Sequence, residues 1–486
     1  MAFLIGGANS AADTGFDVAN SCRFNDGDSA YMEKSPASDG SNTTATFSAW
    51  VKRGNLGARQ AIFGGQEGTD TNNRCVMEFN ASDQLVMQTG NGGSFVNKVS
   101  NRVFRDVSAW YHVVFQFDTT NGTAASRWKF FVNGAQETSL ATDQTFPDSA
   151  DIKFFENTTS CRIAVGMKPE GSNNVQFFDG YMAEVVVIDG TVVAPSSFGE
   201  YDEDSPTIWK PIDVSGLTFG TNGFYLDFEA SDNLGNDANG GTDLTENNLA
   251  AIDQSTDSPT NNFCVMNSLA NSFDPATFSE GNLSIVTETD GQSFKIATFG
   301  LSTGKWYWEI FRRGANGHSE IGIAGMPSDA ADDYLGADAF TYAVHSDDGN
   351  WFTNGSGTSW VSAHNSAGTY PNHVCMVALD LDNNKFYFGI NGTWEDSGDP
   401  TSGATGTGAQ SIAAASTTPT GVWFPAISDK HNSYNTTLDM NFGGGAAFGA
   451  TAVASANQDA DGFGNFEFSV PSGYFSICSK NLAEYG

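Results

Sequence analysis

At 486 residues the chain exceeds one ordinary core and suits two domains of about 200 to 250 residues each. A formal net charge of −35, with only 22 Lys and Arg, would repel a phosphate backbone and excludes a nucleic-acid-binding role. The 54 glycines and 38 phenylalanines, among many Asn, Asp, Ser and Thr and without long Ala/Leu/Glu/Lys runs, predict an all-β protein rich in turns.

The opening "MAFLIGGANSAADTG" is apolar for only a few residues and lacks a basic leader, so it does not read as a signal peptide. No segment approaches the length of a membrane span, and membrane insertion is not expected. Strand signals begin near Asn20 with "SCRFNDGDSAYMEK", "ATFSAWVKRG", "QAIFGGQ", "CVMEFNASDQLVMQTG" and "AWYHVVFQFD". They continue with "RWKFFVNGAQ", "CRIAVGMK" and "GYMAEVVVIDG", each a short apolar or alternating run closed by turn formers. "PSSFGEYDED" near Ser196 admits a short helix, and "GFYLDFEA" at Gly223 reads as a closing strand. Such regular spacing predicts a β-sandwich over residues 17–230 rather than βαβ units.

Residues 231–265 lose apolar side chains and read as an Asx-rich loop plus connector. A second strand series follows in residues 266–486, with "GKWYWEIFRR", "SEIGIAG", "TYAVHSDDGNWF", "HVCMVALDLDNNKFYFGINGTW" and "VWFPAISD". The fold class is therefore all-β, two antiparallel β-sandwiches in tandem. Residues 401–417, "TSGATGTGAQSIAAAST", read as a mobile surface loop.

One piece occurs twice. "WKFFVNGAQE" starts at Trp128, and "KFYFGINGTWE" starts at Lys385. Alternation places Trp128, Phe130 and Val132 on one strand face, and Phe386, Phe388 and Ile390 on another. Asn133-Gly134 and Asn391-Gly392 suit two-residue turns that need positive φ, so each copy predicts a hairpin.

The six cysteines are scattered with no C-x-x-C pair, which removes the spacing of zinc and thioredoxin-like sites and predicts buried thiols. His345, His364 and His373 fall in different predicted elements. "FGGGAAFGA" lacks the Lys-Ser/Thr of a phosphate-binding loop. "YLDFEA" offers Asp227 and Glu229 two residues apart, a spacing equally suited to the solvent side of a strand. Asp232, Asn236, Asp237 and Asp243 lie in a short Gly-containing loop, and calcium favours such flexible oxygen ligands. EF-hand spacing is absent, and Asx-rich loops also bond their own backbone. Trp360 and Trp394 sit in polar, loop-like text, where a ring could stack on a sugar or lid its own sandwich.

The marks "CRFNDGDSAYM", "FSAWVKRG", "WYHVVFQFD", "KFFVNGAQE" and "GYMAEVVVIDG" resemble, in order, the laminin-G/concanavalin-type jelly roll. "GKWYWEI", "IGIAG", "YAVHSDDGNWF", "VALDLDNNKFYFGINGTW", "WFPAISD" and "MNFG" resemble a SPRY domain. The start "MAFLIGGANSA", the join "DSPTNNFCVMN" and the end "PSGYFSICSKNL" are similar to bacteriophage virion proteins of the tail-fibre or lectin-like kind. These resemblances imply jelly-roll-type sandwiches and a non-enzymatic virion component that binds a host-cell glycan or protein through its loops. They imply other virion proteins as partners, a homo-oligomer, and residues 1–16 as an attachment segment. A decoration protein touching only virion proteins, and a glycan depolymerase on the jelly roll, are the alternatives. Some laminin-G-type domains bind calcium, which keeps Ca2+ open as a cofactor of the Asx-rich loop.

Overall fold

The computed structural model describes residues 4–5, 15–91, 94–158, 160–289, 291–313, 318–361, 372–430, 435–445, 447–448, 451–453 and 455–486. They form two compact units, one within Ala12–Thr260 and one within Asn261–Gly486. Leu4–Ile5 joins the second, pairing parallel with Phe299–Gly300. The rest of the proposed attachment segment, Gly15 and Phe16 apart, lies outside the described residues. Among the described residues no helix is long and apolar enough to cross a membrane.

In the first unit two eight-stranded sheets stack. One runs Ala135–Gln136, Trp128–Val132, Trp110–Asp118, Thr44–Arg53, Gly180–Asp189, Ser21–Phe24 and Gln254–Ser255, and Phe224–Leu226 also pairs with Gly180–Asp189. The other runs Leu140–Asp143, Ser94–Val103, Gln84–Asn91, Arg74–Phe79, Gln60–Gln66, Arg162–Val165, Tyr31–Lys34 and Thr245–Asn247. Alternation decides what enters the space between them. Ala45, Phe47, Ala49 and Val51 point inward from one strand, and Ile163 and Val165 from another. Phe47 sits at the centre, its ring 4.6 Å from Phe154 and 5.3 Å from Phe63.

The connector reading of residues 231–265 is corrected here for 231–260, which close the first sandwich. Thr245–Asn247 extends one sheet beyond Tyr31–Lys34, and Gln254–Ser255 extends the other beyond Ser21–Phe24. Leu234 and Leu244 enter the core. A polar stretch needs only a few well-placed leucines and backbone pairs to cap an exposed sheet edge, so low apolar content misled the reading.

The second unit stacks a nine-stranded sheet on a six-stranded one. The first contains Lys305–Arg313, His373–Asp380, Lys385–Ile390 and Thr437–Asn441, and the second contains Phe424–Asp429, Ser319–Ala324, Thr341–His345 and Asn350–Thr353. Trp351 of one sheet meets Phe386 of the other at 5.0 Å between rings. Residues 401–417 are built of 3-10 turns at Pro400–Thr405 and Ala415–Thr417 around a short strand, Gln410–Ser411, paired with Lys385–Phe386. Ile412 and Ala415 are buried, anchors too small to register in a low-complexity reading. The chain ends in the helix Ser479–Tyr485, which no sequence signal announced.

The repeated piece is one device used in both units. Trp128–Val132 turns at Asn133 (φ 48°) and Gly134 (φ 76°) into Ala135–Gln136, and Lys385–Ile390 turns at Asn391 (φ 46°) and Gly392 (φ 83°) into Thr393–Trp394. Asn133 Oδ1 accepts the His112 backbone N–H at 2.8 Å, and Asn391 Oδ1 accepts that of Val374 at 2.9 Å. Each asparagine thus tolerates the left-handed turn and also clamps the neighbouring strand.

Candidate functional site

On the Tyr31–Lys34 strand, Met32 enters the core, so Tyr31 and Glu33 project from the outer face of their sheet. On the paired Arg162–Val165 strand the same alternation turns Arg162 outward, beside Glu33. The hairpin formed by Lys168–Glu170 and Asn173–Val175 rises over this face. Its close seat requires Gly64, where an added Cβ would lie 2.4 Å from Pro169 Cδ. The Gln66 side chain pins the hairpin tip, accepting the Gly171 N–H at 2.9 Å and donating to the Gly171 carbonyl at 3.2 Å.

These elements border an open cleft of ≈ 390 Å³ lined by Glu33, Lys34, Thr69, Arg162, Ser172 and Thr245 among others. Arg162 Nε donates to Glu33 Oε2 at 2.7 Å, and Arg162 Nη2 donates to Asn174 Oδ1 at 2.7 Å. Asn174 Nδ2 in turn donates to the Tyr31 hydroxyl at 2.7 Å. Burial pushes the Tyr31 hydroxyl above its ordinary pKa, aided by Glu33, and burial pulls the Lys34 ammonium below its own. Beside this row the half-buried rings of Tyr31 and Phe177 lie 6.0 Å apart. A polar cleft of this kind can present hydrogen-bond partners to the hydroxyls of a small ligand.

The residues singled out from sequence lie elsewhere. Asp237 Oδ1 accepts the backbone N–H groups of Tyr225 (3.0 Å) and Asn239 (3.1 Å). Asp243 accepts the Asp237 N–H at 3.0 Å and the Asn233 amide at 2.9 Å, and the Asp237 bond is the chief cause holding its carboxyl below the ordinary range. The structure brings Asp237 and Asp243 together as braces of the loop, while Asp232 is exposed and Asn236 half-buried. Trp394 packs edge-on against Tyr307 at 6.4 Å. Trp360 packs against Trp351 at 5.3 Å and donates Nε1–H to the Gly408 carbonyl at 3.3 Å. Both tryptophans are half-buried.

Asp227 and Glu229 follow the end of the Phe224–Leu226 strand, with Phe228 between them buried and at φ 58°. Buried Glu184 accepts the Tyr225 hydroxyl at 2.8 Å. Burial pushes its carboxyl up to about 8, with Asp227 and Glu229 adding to the effect. Glu67, Asp151 and Glu156 also converge, their oxygens within 4.8 Å of one another. The Lys153 ammonium already serves this set, donating to Glu67 at 2.9 Å and Asp151 at 3.2 Å. Glu33, Arg162 and Asn174 escaped the sequence reading because alternating charged residues mark any solvent face. Only their long-range convergence distinguishes them.

Residues 26–195 match the family model Laminin_G_3, the concanavalin A-like lectin/glucanases superfamily. Among solved structures, the SPRY domain of human HERC1 is similar at 15% identity, covering 32% of this chain and 87% of that one, with a TM-score of 0.24. A heptameric SAP-like pentraxin from Limulus polyphemus is similar at 14% identity, 37% and 80% coverage, and a TM-score of 0.28. The CBM40 of the Ruminococcus gnavus IT-sialidase, solved with α2,3-sialyllactose, is similar at 15% identity, 31% and 87% coverage, and a TM-score of 0.23. No curated protein matches the chain.

Proposed function

We propose that this chain is a non-enzymatic, glycan-binding component of a bacteriophage virion, a tail fibre or appendage that recognises the host-cell surface. The observation that carries the glycan reading is the polar pocket lined by Glu33, Arg162 and Ser172, within the segment that matches a lectin-type family model. A cleft of ≈ 390 Å³ is in the range of small-ligand sites and suits one or two sugar rings. The virion reading is supported by the resemblance of the start, join and end of the chain to phage virion proteins. Other virion proteins and further copies of this chain are then its partners, and host glycan its ligand.

A glycan array and a host-cell pull-down with the full chain test the binding. Ser172→Trp places an indole at the exposed rim of the pocket, and is expected to weaken glycan binding at least ~10-fold with the melting temperature unchanged. Undiminished binding by this variant rejects the pocket. Shortened host polysaccharide after incubation, abolished by Asp227→Asn or Glu229→Gln, replaces the reading with a depolymerase. Tight association with capsid or tail proteins and none with host envelope material replaces it with a decoration protein.

A further inference from the structure

At one end of the six-stranded sheet of the second unit, Glu320 pairs with His345, and Ser319 and Ser346 exchange hydrogen bonds. Continuing that antiparallel ladder sets His318 opposite Asp347, with His345 and Asp347 two residues apart on one face. His318 Nδ1 contacts Asp347 Oδ2, and His345 Nε2 faces the same oxygen at 3.7 Å. One atom from each of the three residues lies within 4.8 Å of the others.

The decisive atom is His345 Nε2. His345 is 7% exposed, and its Nε2 is buried without a hydrogen-bond partner. Its Nδ1 lies 3.2 Å from Asp348 Oδ1, so that carboxylate fixes the ring proton on Nδ1. The Nε2 lone pair is then left without a donor, 3.7 Å from a carboxylate oxygen whose near partner is His318 Nδ1. Such an arrangement asks for a cation. A carboxylate behind the imidazole is also how metal-ligating histidines are oriented. The Lys430 ammonium is engaged over the Phe352 ring at 3.8 Å and the Tyr334 ring at 4.6 Å.

We propose that His318, His345 and Asp347 form a site for one divalent transition-metal ion of the zinc class, with Asp348 as the positioning residue. Two imidazoles and a carboxylate leave a further position for solvent or an outside ligand. Ligand atoms in a tetrahedral zinc site lie about 3.3 to 3.6 Å apart, so the touching His318 and Asp347 atoms must part to admit the ion, while His345 Nε2 already stands 3.7 Å from the carboxylate oxygen. The His318 side chain, 24% exposed, can swing to do so, and Asp347 at 26% leaves a path from solvent. Binding replaces the His318–Asp347 contact, and a proton carried by a ligating nitrogen leaves to solvent.

The test is zinc uptake by the full chain made without a histidine tag, read by calorimetry and by metal-to-protein ratio after gel filtration. Cobalt substitution reports geometry through its visible absorption. One ion per chain, removed by EDTA, is expected. His318→Ala and Asp347→Asn lose binding with circular dichroism unchanged, and Asp348→Asn weakens it about 10- to 100-fold. Absence of stoichiometric uptake, or uptake unaltered in both ligand variants, overturns the site.

Discussion

Replacing Asp257 by Ala separates a solvated connector from a built-in edge. Lys52 lies on the Thr44–Arg53 strand between inward-facing neighbours and so points to the outer side of its sheet. There its Nζ meets Asp257 Oδ2 at 2.6 Å, with the side chains 1% and 2% exposed. Trp110 Nε1 donates to Asp257 Oδ1 at 3.0 Å, and Ser21 Oγ donates to the Asp257 carbonyl at 2.6 Å. Removing one member of a buried pair strands the other charge in a poorly hydrated place, at a cost of about 3–5 kcal/mol. For a unit of this size each kcal/mol is about 2–4 °C, so the transition of the first unit should fall by roughly 6–20 °C. Differential scanning calorimetry of the full chain resolves this, because the transition of the second unit should not move. Lys52→Met combined with Asp257→Leu should recover most of the loss, since two apolar side chains strand no charge. A surface connector predicts a change within about 0.5 kcal/mol. A drop below about 2 °C would refute the integration of residues 231–260.

Glu184 supplies a pH test. Its folded pKa of about 8 exceeds the ordinary 4.5, so its contribution is fully present below pH 4.5 and lost as pH rises through 8. Glu184→Gln keeps an oxygen for the Tyr225 hydroxyl and should flatten that part of the stability profile, making the variant relatively more stable at pH 8 than at pH 4, by denaturant titration. Asn391→Ala gives up both the left-handed preference and the bond to Val374, and should destabilise the second unit by about 1 to 3 kcal/mol in urea melts. Trp394→Ala and Trp360→Ala should lower the melting temperature of the second unit while leaving glycan affinity as it was. A loss of affinity without a loss of stability would return the sugar contact to these rings.

Fold and site differ in how much of them can be read locally. The Asn-Gly hairpins were legible because the turn type depends on two adjacent residues, and Val132 pairs with Ala135 and Ile390 with Thr393 across them. All six cysteines are indeed buried thiols. Leu234 and Leu244 were illegible as core residues because their polar neighbours dominate any window around them. In the Asx-rich loop that advertised oxygen ligands, Asp237 Oδ1 and Asp243 Oδ1 accept backbone N–H groups, a pairing that loop conformation selects. For Trp360 and Trp394 the polar text left open a ring that stacks on a sugar or one that lids its own sandwich, since burial depends on what the loop folds back onto.

By itself, then, the sequence determined most of the central strands and the Asn-Gly turns of an all-β fold, since period-two alternation and positive-φ residues act within a few positions. Only the tertiary structure decided which polar residues meet. Arg162 reaches Glu33 across 129 residues of chain and Asn174 reaches Tyr31 across 143, contacts created by strand order in a sheet. Strand order follows from the packing of whole faces and the closing of edges, which no short stretch of residues encodes.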